Sequence, residues 1–518
     1  MLVKIQSIAN IGLQSVPVDV EVDVAEAGFP GFNIVGLASR AVVEARERVK
    51  TAIVNSKFTF PPKKITVNLA PADLPKDGVS YDLPIALGVL VASGQLNLPA
   101  PLPSGTGPAD FDLTKSFFYG ELSLDGTLRP TKGILLLGLF AQKINNAFIF
   151  IPQANAAEAQ VVSAIKVIPL KSLSQLIEHL TQTKPIKPLQ QLIPKAVDNT
   201  LAEFDLSEIA GQEQAKRAAI LAAAGGHNLL MWGPPGTGKT MLSRALLGIL
   251  PPLSEEEALE VTKIYSVSGL LSAGQSLIFS RPFRAPHHGI SGAGMIGGGS
   301  NPLPGEVSLA HLGVLFLDEM PEFPRSLIES LRQPMEDGYL EIVRVAGHVR
   351  YPASFTLVAA INPCPCGYLG HPKRECQCSD KQIAKYRHRL SGPILDRIDL
   401  FVQVGVVEAD KLSIKEQKGI SSQEALTQVT QARQIQQQRF SKEKIYTNSQ
   451  MQNHHVKKYG ILSAEAEHLL KLATDKFNFS ARGFYRLIKV ARTIADLADC
   501  REILPIHMAE ALQYRQII

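Results

Sequence analysis

Residues 233–240 read GPPGTGKT. An apolar stretch, NLLMW at 228–232, runs into this segment, and a helical pattern at 241–250 runs out of it. Strand, glycine-rich turn and helix in that order are the context in which this spacing makes a phosphate-binding P-loop. Gly233, Gly236 and Gly238 let backbone N–H groups turn inward without a Cβ clash, at the positive end of the following helix. Pro234, Pro235 and Thr237 fill the variable positions of the same cradle. Lys239 is expected to reach the β- and γ-phosphates of ATP, and the Thr240 hydroxyl to bind magnesium.

Downstream, residues 314–319 read VLFLDE. A buried strand ending in two acids delivers both carboxylates beside a P-loop at the carboxyl edge of a parallel sheet. Asp318 is expected to hold magnesium, and Glu319 to orient and deprotonate the attacking water. The two motifs together predict an α/β core, a parallel sheet flanked by helices, that binds and hydrolyses ATP.

The 518 residues are enough for about three domains. Apolar residues make up 45% and charged residues 19%, which permits real cores and excludes wholesale disorder. A net charge of +5 permits contact with an anionic polymer without demanding it. No apolar run approaches the roughly 20 residues of a membrane span, and residues 1–6 do not open a secretory signal. A cytoplasmic chain with no membrane partner is the expectation.

Working towards the N-terminus, Val16, Val18, Val20, Val22 and Val24 alternate with polar residues or proline as a half-buried strand does. Residues 41–56 place Val42, Ala45, Val49 and Ile53 at helical spacing. Further strands are expected at 64–69, 117–121 and 147–151, helices at 81–93 and 132–144, and a Pro/Gly-rich surface loop at 98–112. The domain boundaries read as 1–181, a proline-bearing linker at 182–200, a core at 201–405 and a helical segment at 406–518. Within the last, amphipathic helices are expected at 482–499 and 506–517.

Four of the five cysteines crowd together as Cys364, Cys366, Cys376 and Cys378, a C-x-C-x9-C-x-C pattern. Two short knuckles of thiolates suit a structural zinc site, and the expected compartment disfavours disulfides. Reduced free thiols are the competing reading. His371 reads as a solvated loop residue and Cys500 as ordinary core. Lys373, Arg374, Lys381, Lys385, Arg387 and Arg389 make the same stretch basic, either a phosphate grip or a solvated face. Tyr368 and Tyr386 offer stacking surfaces or packing.

Three further segments carry a family resemblance. RPFRAPHH at 281–288 precedes a glycine-rich loop at 289–305, and MEDG at 335–338 leads into LEIVRVAGHVRY at 340–351, a hairpin pattern carrying Arg344, His348 and Arg350. These resemble the helix-2 insertion and pre-sensor hairpin of magnesium-chelatase-like AAA+ proteins. Nearly the whole chain resembles the YifB/ComM family, which joins a Lon-protease-like domain of ribosomal S5 type to such a motor and a C-terminal helical lid. The resemblance implies that 209–212 (IAGQ) closes over adenine, that Asn362 in LVAAINPC at 357–364 is the sensor positioning water, and that Arg482 in SARG at 480–483 is the second sensor. It makes Arg397 in GPILDRIDL at 392–400 the arginine finger, with Arg389 the runner-up.

It also implies a homo-hexameric ring acting on DNA, branched or single-stranded, as a branch-migration helicase in recombination and natural transformation, with recombination proteins as partners. A magnesium-chelatase-like motor subunit and a protein-remodelling ATPase are the alternatives. One departure is informative. PKDGVS at 75–80 places Ser80 where the Lon nucleophile stands, but GELSLDGTLRPTKGILLL at 120–137 puts Leu135 or its neighbours where the lysine base would be, with Lys132 off register. A serine nucleophile needs its base within hydrogen-bond reach, so the domain reads as proteolytically inactive.

Overall fold

The computed structural model describes residues 1–37, 39–74, 76, 78–97, 112–192, 203–272, 274–299, 302–344, 347–407, 419–443 and 445–515. Most of the loop expected at 98–112 lies outside them, as do the side chain of Arg344 and the start of the segment after 405.

The valine alternation at 16–24 becomes strand Gln14–Val24, paired antiparallel with Leu2–Ile11. Val18, Val20 and Val22 are fully buried, which is what a period of two achieves on a sheet with one face to a core. Seven strands form this N-terminal sheet in the order Gly31–Val35, Lys64–Ala70, Gln14–Val24, Leu2–Ile11, Ser116–Phe118, Phe148–Pro152, Lys166–Leu170. Helices Arg40–Asn55, Asp82–Ala92 and Leu173–Leu180 cover one face, and helix Ile134–Ala141 the other. The expected linker is partly pinned: Leu189 N donates to Val167 O and Leu192 N to Gln160 O, so the chain to 192 runs along this module.

The central sheet holds five strands, all parallel, ordered Phe283–Arg284, Val314–Leu317, Thr356–Ile361, Leu229–Trp232, Leu400–Gln403. Val314–Leu317 is buried throughout, as a strand covered on both faces must be. The strand feeding the P-loop lies between the two that come last in sequence, so its carboxyl end opens into the crevice where such sheets bind ligands.

Five helices follow, Ser422–Arg439, Asn453–Tyr459, Ala464–Phe477, Ala481–Leu497 and Pro505–Gln513. They share an apolar core with helix Glu213–Gly225 of the central module. The join is also ionic. Asp399 is 8% exposed and accepts from Arg486 Nη1 at 3.1 Å, Asn228 N at 3.2 Å and His227 Nδ1 at 3.4 Å. Burial alone would raise its carboxyl, but Arg486 and His227 outweigh that and hold it well below the usual carboxylate range.

Among the described residues the N-terminal module meets the central one at its hairpin and around Ser266. The turn between its first two strands presses on the antiparallel hairpin Tyr339–Arg344/Gly347–Pro352, burying Ile342, Val349 and Tyr351 against Ile11 and Leu13. Gly12 sits at φ +58, and a Cβ there would lie 2.3 Å from Val349 Cγ1, so only glycine fits. Beside this contact, Gly133 N donates to Ser266 O at 3.1 Å, and the buried Glu158 accepts from Ser266 Oγ and, at 2.8 Å, from Leu135 N.

Asp399→Asn leaves Arg486 facing a neutral amide, and breaking such a buried pair costs about 3 kcal/mol. We expect a lowered thermal midpoint at neutral pH. Because the folded carboxyl titrates below its unfolded value, its stabilisation is full above about pH 4 and is lost as pH falls through the folded pKa. The midpoints of wild type and variant should therefore converge in acid.

Candidate functional site

The P-loop folds as its glycines require. Gly236 and Gly238 take φ +77 and +90, and Gly233 lies so close to the last central strand that a Cβ would stand 2.0 Å from Val404 O. Helix Lys239–Ala245 begins at once, so its free N–H groups face the loop. Lys239 is nearly buried, and its ammonium donates to Gly233 O at 2.7 Å, Pro234 O at 2.8 Å and Asn362 Oδ1 at 3.4 Å. Burial lowers its pKa while Asp318 and Glu319 pull it back up.

The carboxyl ends of two neighbouring strands supply the rest. Thr240 Oγ1 donates to Asp318 Oδ2 at 3.0 Å, so the pair expected to hold magnesium is already joined. Glu319 stands in the left-handed region at φ 49, a conformation that costs a non-glycine residue about 1 kcal/mol. Its amide is held by Asp318 Oδ1 at 3.0 Å, and its Oε1 accepts from Asn362 Nδ2 at 3.4 Å. Asn362 therefore touches the phosphate lysine with one end of its amide and the acid with the other. Lys239, Thr240, Asp318, Glu319 and Asn362 form one constellation. Its donor set fits a magnesium–triphosphate: a cradle of amides, one ammonium, one hydroxyl and two carboxylates.

The two arginines named from the family pattern lie elsewhere. Arg397, 4% exposed, pairs with Glu336 Oε1, and Arg482 Nη2 reaches the same oxygen at 3.3 Å. Arg397 Nη1 also donates to Pro393 O at 2.6 Å. No hydrogen bond or ion pair among the described residues joins this Glu336 group to the P-loop group. Glu336 instead lines a cavity of about 950 Å³ between the central sheet and the C-terminal helices. Arg389 pairs with Glu322 at 2.7 Å, beside the turn that follows Glu319. In the sequence Glu336 stands out only as part of the segment leading to the hairpin, Asp399 only as part of GPILDRIDL, and Arg486 only as part of an amphipathic helix. An acid between Met335 and Asp337 carries no signal until the fold brings two arginines to it.

The cysteines converge. The Sγ atoms of Cys364 and Cys366 are 3.3 Å apart, Cys364 and Cys376 3.5 Å, Cys366 and Cys376 3.6 Å, and all four sulfurs including that of Cys378 lie within 4.8 Å of one another. Four thiolates around one zinc at about 2.3 Å stand about 3.8 Å apart, so the donor set fits a tetrahedral metal. His371 stays outside, its Nδ1 accepting from the Lys373 and Arg374 amides at 3.0 and 3.1 Å. Tyr368 carries the Arg374 guanidinium against its ring, whereas Tyr386 is buried and serves packing.

In the N-terminal module Ser80 lines a cavity of about 740 Å³ with Lys76, Tyr119 and Lys132, closed on one side by Val349 and Tyr351 of the central hairpin. Lys76 donates to Pro71 O. Lys132 lies across Gly269, where a Cβ would meet its Cε at 2.5 Å. Leu135 is fully buried. Neither lysine of that cavity donates a hydrogen bond to Ser80 among the described residues.

Three family patterns match this chain. "Magnesium chelatase, subunit ChlI" covers residues 205–412, "Subunit ChlI of Mg-chelatase" 20–155, and "Magnesium chelatase, subunit ChlI C-terminal" 419–515. The chain is 41% identical over 522 residues to competence protein ComM of Haemophilus influenzae, covering 99% of this chain and 97% of that protein. It is 40% identical over 512 residues to YifB of Escherichia coli, covering 98% and 96%. To the magnesium-chelatase 67 kDa subunit of Heliobacterium mobile it is 29% identical over 194 residues, 32% of this chain and 29% of that one. No helix among the described residues is long and apolar enough to cross a membrane.

Glu319→Gln keeps the hydrogen bond to Asn362 but removes the base. We expect nucleoside triphosphate binding to persist while turnover falls by roughly 100-fold or more, measured as phosphate release against equilibrium binding of a fluorescent nucleotide. Loss of binding in step with turnover would mean that Glu319 supports the loop and not the water.

Proposed function

The chain belongs to the YifB/ComM family of magnesium-chelatase-like proteins, and from that membership we propose that it is an ATP-driven DNA motor working as a homo-hexamer, a branch-migration helicase of DNA recombination and natural transformation. ATP hydrolysis is the part that the geometry supports best, and the observation that carries it is Asn362 bridging Lys239 and Glu319. The DNA assignment draws on the likeness to a competence protein along 99% of the chain.

In this reading the P-loop amides of residues 233–240 and Lys239 bind the phosphates. Thr240 and Asp318 would hold magnesium, which would supply charge neutralisation at those phosphates. Glu319 takes the proton of the attacking water, and Asn362 fixes its carboxylate relative to the γ-phosphate. Arg397, held on Glu336 away from these groups, serves the nucleotide of the neighbouring subunit, and Arg482, on the same acid, is the second sensor that with Asn362 couples phosphate loss to movement. Release of phosphate then shifts the hairpin at 339–352 and the glycine-rich segment before it, which grip the strand.

The N-terminal module is a Lon-like domain without protease activity. Two features support this: Lys132 lies across Gly269, and the resemblance puts Leu135, which is fully buried, or one of its neighbours at the place of the base. The C-terminal helices are the lid, coupled to the finger segment through Asp399 and Arg486. Zinc at the four cysteines is structural. A magnesium-chelatase-like motor subunit is the second reading, favoured by the three family descriptions.

The test is the steady-state ATPase rate with and without branched DNA, for wild type and Lys239→Ala. The motor reading expects several-fold stimulation by DNA that weakens as salt rises and is abolished in the variant. An ATPase indifferent to DNA at low salt sinks it and turns the search to chelatase-type or protein partners.

A further inference from the structure

We propose that the four-cysteine cluster is a positioning element of the nucleotide site, so that metal occupancy and nucleotide binding stabilise one another. The inference rests on the zinc reading above and goes beyond its structural role.

Both knuckles of the cluster are tied to residues that face the nucleotide. Strand Thr356–Ile361 ends at Asn362, and Cys364 follows two residues later, fully buried. The backbone between them is too short to decouple: wherever Cys364 Sγ is pinned, the Asn362 amide has little freedom to turn away from Lys239 and Glu319. The same knuckle then leans on the P-loop. Gly367 N donates to Cys364 O at 3.0 Å, and Leu369 N reaches Cys364 Sγ at 3.4 Å, folding the chain back on itself. Gly367 at φ +82 lies so near the P-loop that a Cβ would be 2.8 Å from Pro235 Cδ.

The second knuckle returns to the same place by another route. Cys378 is followed by Ser379, which caps helix Asp380–Arg387 with Gln382. That helix brings Tyr386, buried, beside the backbone of Asn362. The chain from Asn362 to Tyr386 is therefore a closed lasso, with Asn362 at its neck and the four sulfurs as its fastening. Within the nine residues between Cys366 and Cys376 the hydrogen bonds are local, His371 N to Tyr368 O and the Lys373 and Arg374 amides to His371 Nδ1. A metal that ties the two knuckles together removes freedom from the unligated loop.

If the metal orders Asn362 and supports Pro235, then nucleotide seated on the P-loop must in turn restrain Cys364 and Gly367, because coupling between two sites is reciprocal. The purified full-length protein gives the test. Zinc loss to a zinc-selective chelator is followed with magnesium present, with and without saturating ADP or a non-hydrolysable ATP analogue. We expect nucleotide to slow zinc release by about five-fold or more in wild type and to have no effect in Lys239→Ala. Gly367→Ala, which touches the P-loop and no reacting atom, should retain zinc, raise the KM for ATP more than it lowers kcat, and shrink the nucleotide effect on release.

Zinc present in stoichiometric amount, yet leaving at the same rate with and without bound nucleotide, overturns the inference and leaves the structural zinc site standing. Absence of zinc from the isolated protein overturns both. Failure of wild type to bind nucleotide at all would instead remove the ATPase reading.

Discussion

A single buried carboxylate holds the working parts in register. Asp399 stands two residues after Arg397 and at the foot of the last central strand, where it meets the backbone of the strand that feeds the P-loop. Its charge is matched by Arg486, which comes from a C-terminal helix, and it accepts a hydrogen bond from His227, whose other ring nitrogen bonds Thr493 of the same helix at 2.7 Å. A bare carboxylate in that position would cost several kcal/mol to desolvate. The C-terminal helices therefore cannot swing freely. Their orientation is tied to the segment that carries Arg397, and through Asn228 to the root of the nucleotide loop.

This tie explains why the candidate site divides in two. One half is built on the carboxyl ends of parallel strands, where Lys239, Asp318, Glu319 and Asn362 converge. The other half, Arg397 and Arg482 on Glu336, joins the central module to the C-terminal helices on a separate surface. Sharing one carboxylate oxygen keeps two guanidinium groups close despite their repulsion, with one negative charge set against two positive ones. For either arginine to act on phosphate it must leave Glu336, so the acid sets a threshold for engagement.

The grouping of Lys239, Thr240, Asp318 and Glu319 was legible because its signal is local. GPPGTGKT and VLFLDE each compress strand, turn and reacting groups into a few adjacent residues, and the structure places them as that spacing requires. The hairpin at 339–352 was legible from its alternation. Strand Leu2–Ile11 was not, because its period of two is broken by polar residues that the fold satisfies: Ser7, fully buried, donates to Phe118 O at 2.9 Å, more than a hundred residues away. Edge strand Gly31–Val35 was missed for the opposite reason, since its side chains stay largely exposed and carry no burial pattern. The roles of Glu336, Asp399 and Tyr386 rest on long-range contacts that no window of sequence displays. The 182–200 stretch looked free because its prolines suppress periodicity, yet backbone hydrogen bonds fasten it as far as Leu192.

The chamber around Ser80 has a thermodynamic consequence. It is shared between two modules that touch at Gly12 on one side and at Ser266 on the other, and its volume of about 740 Å³ accommodates roughly 25 water molecules at the liquid density. Any hinge between the modules changes that hydration. Conformations that close the chamber release water to bulk and are favoured by solutes excluded from protein surfaces, and conformations that open it are disfavoured. The serine pocket thereby makes any closure between the two modules sensitive to osmotic pressure.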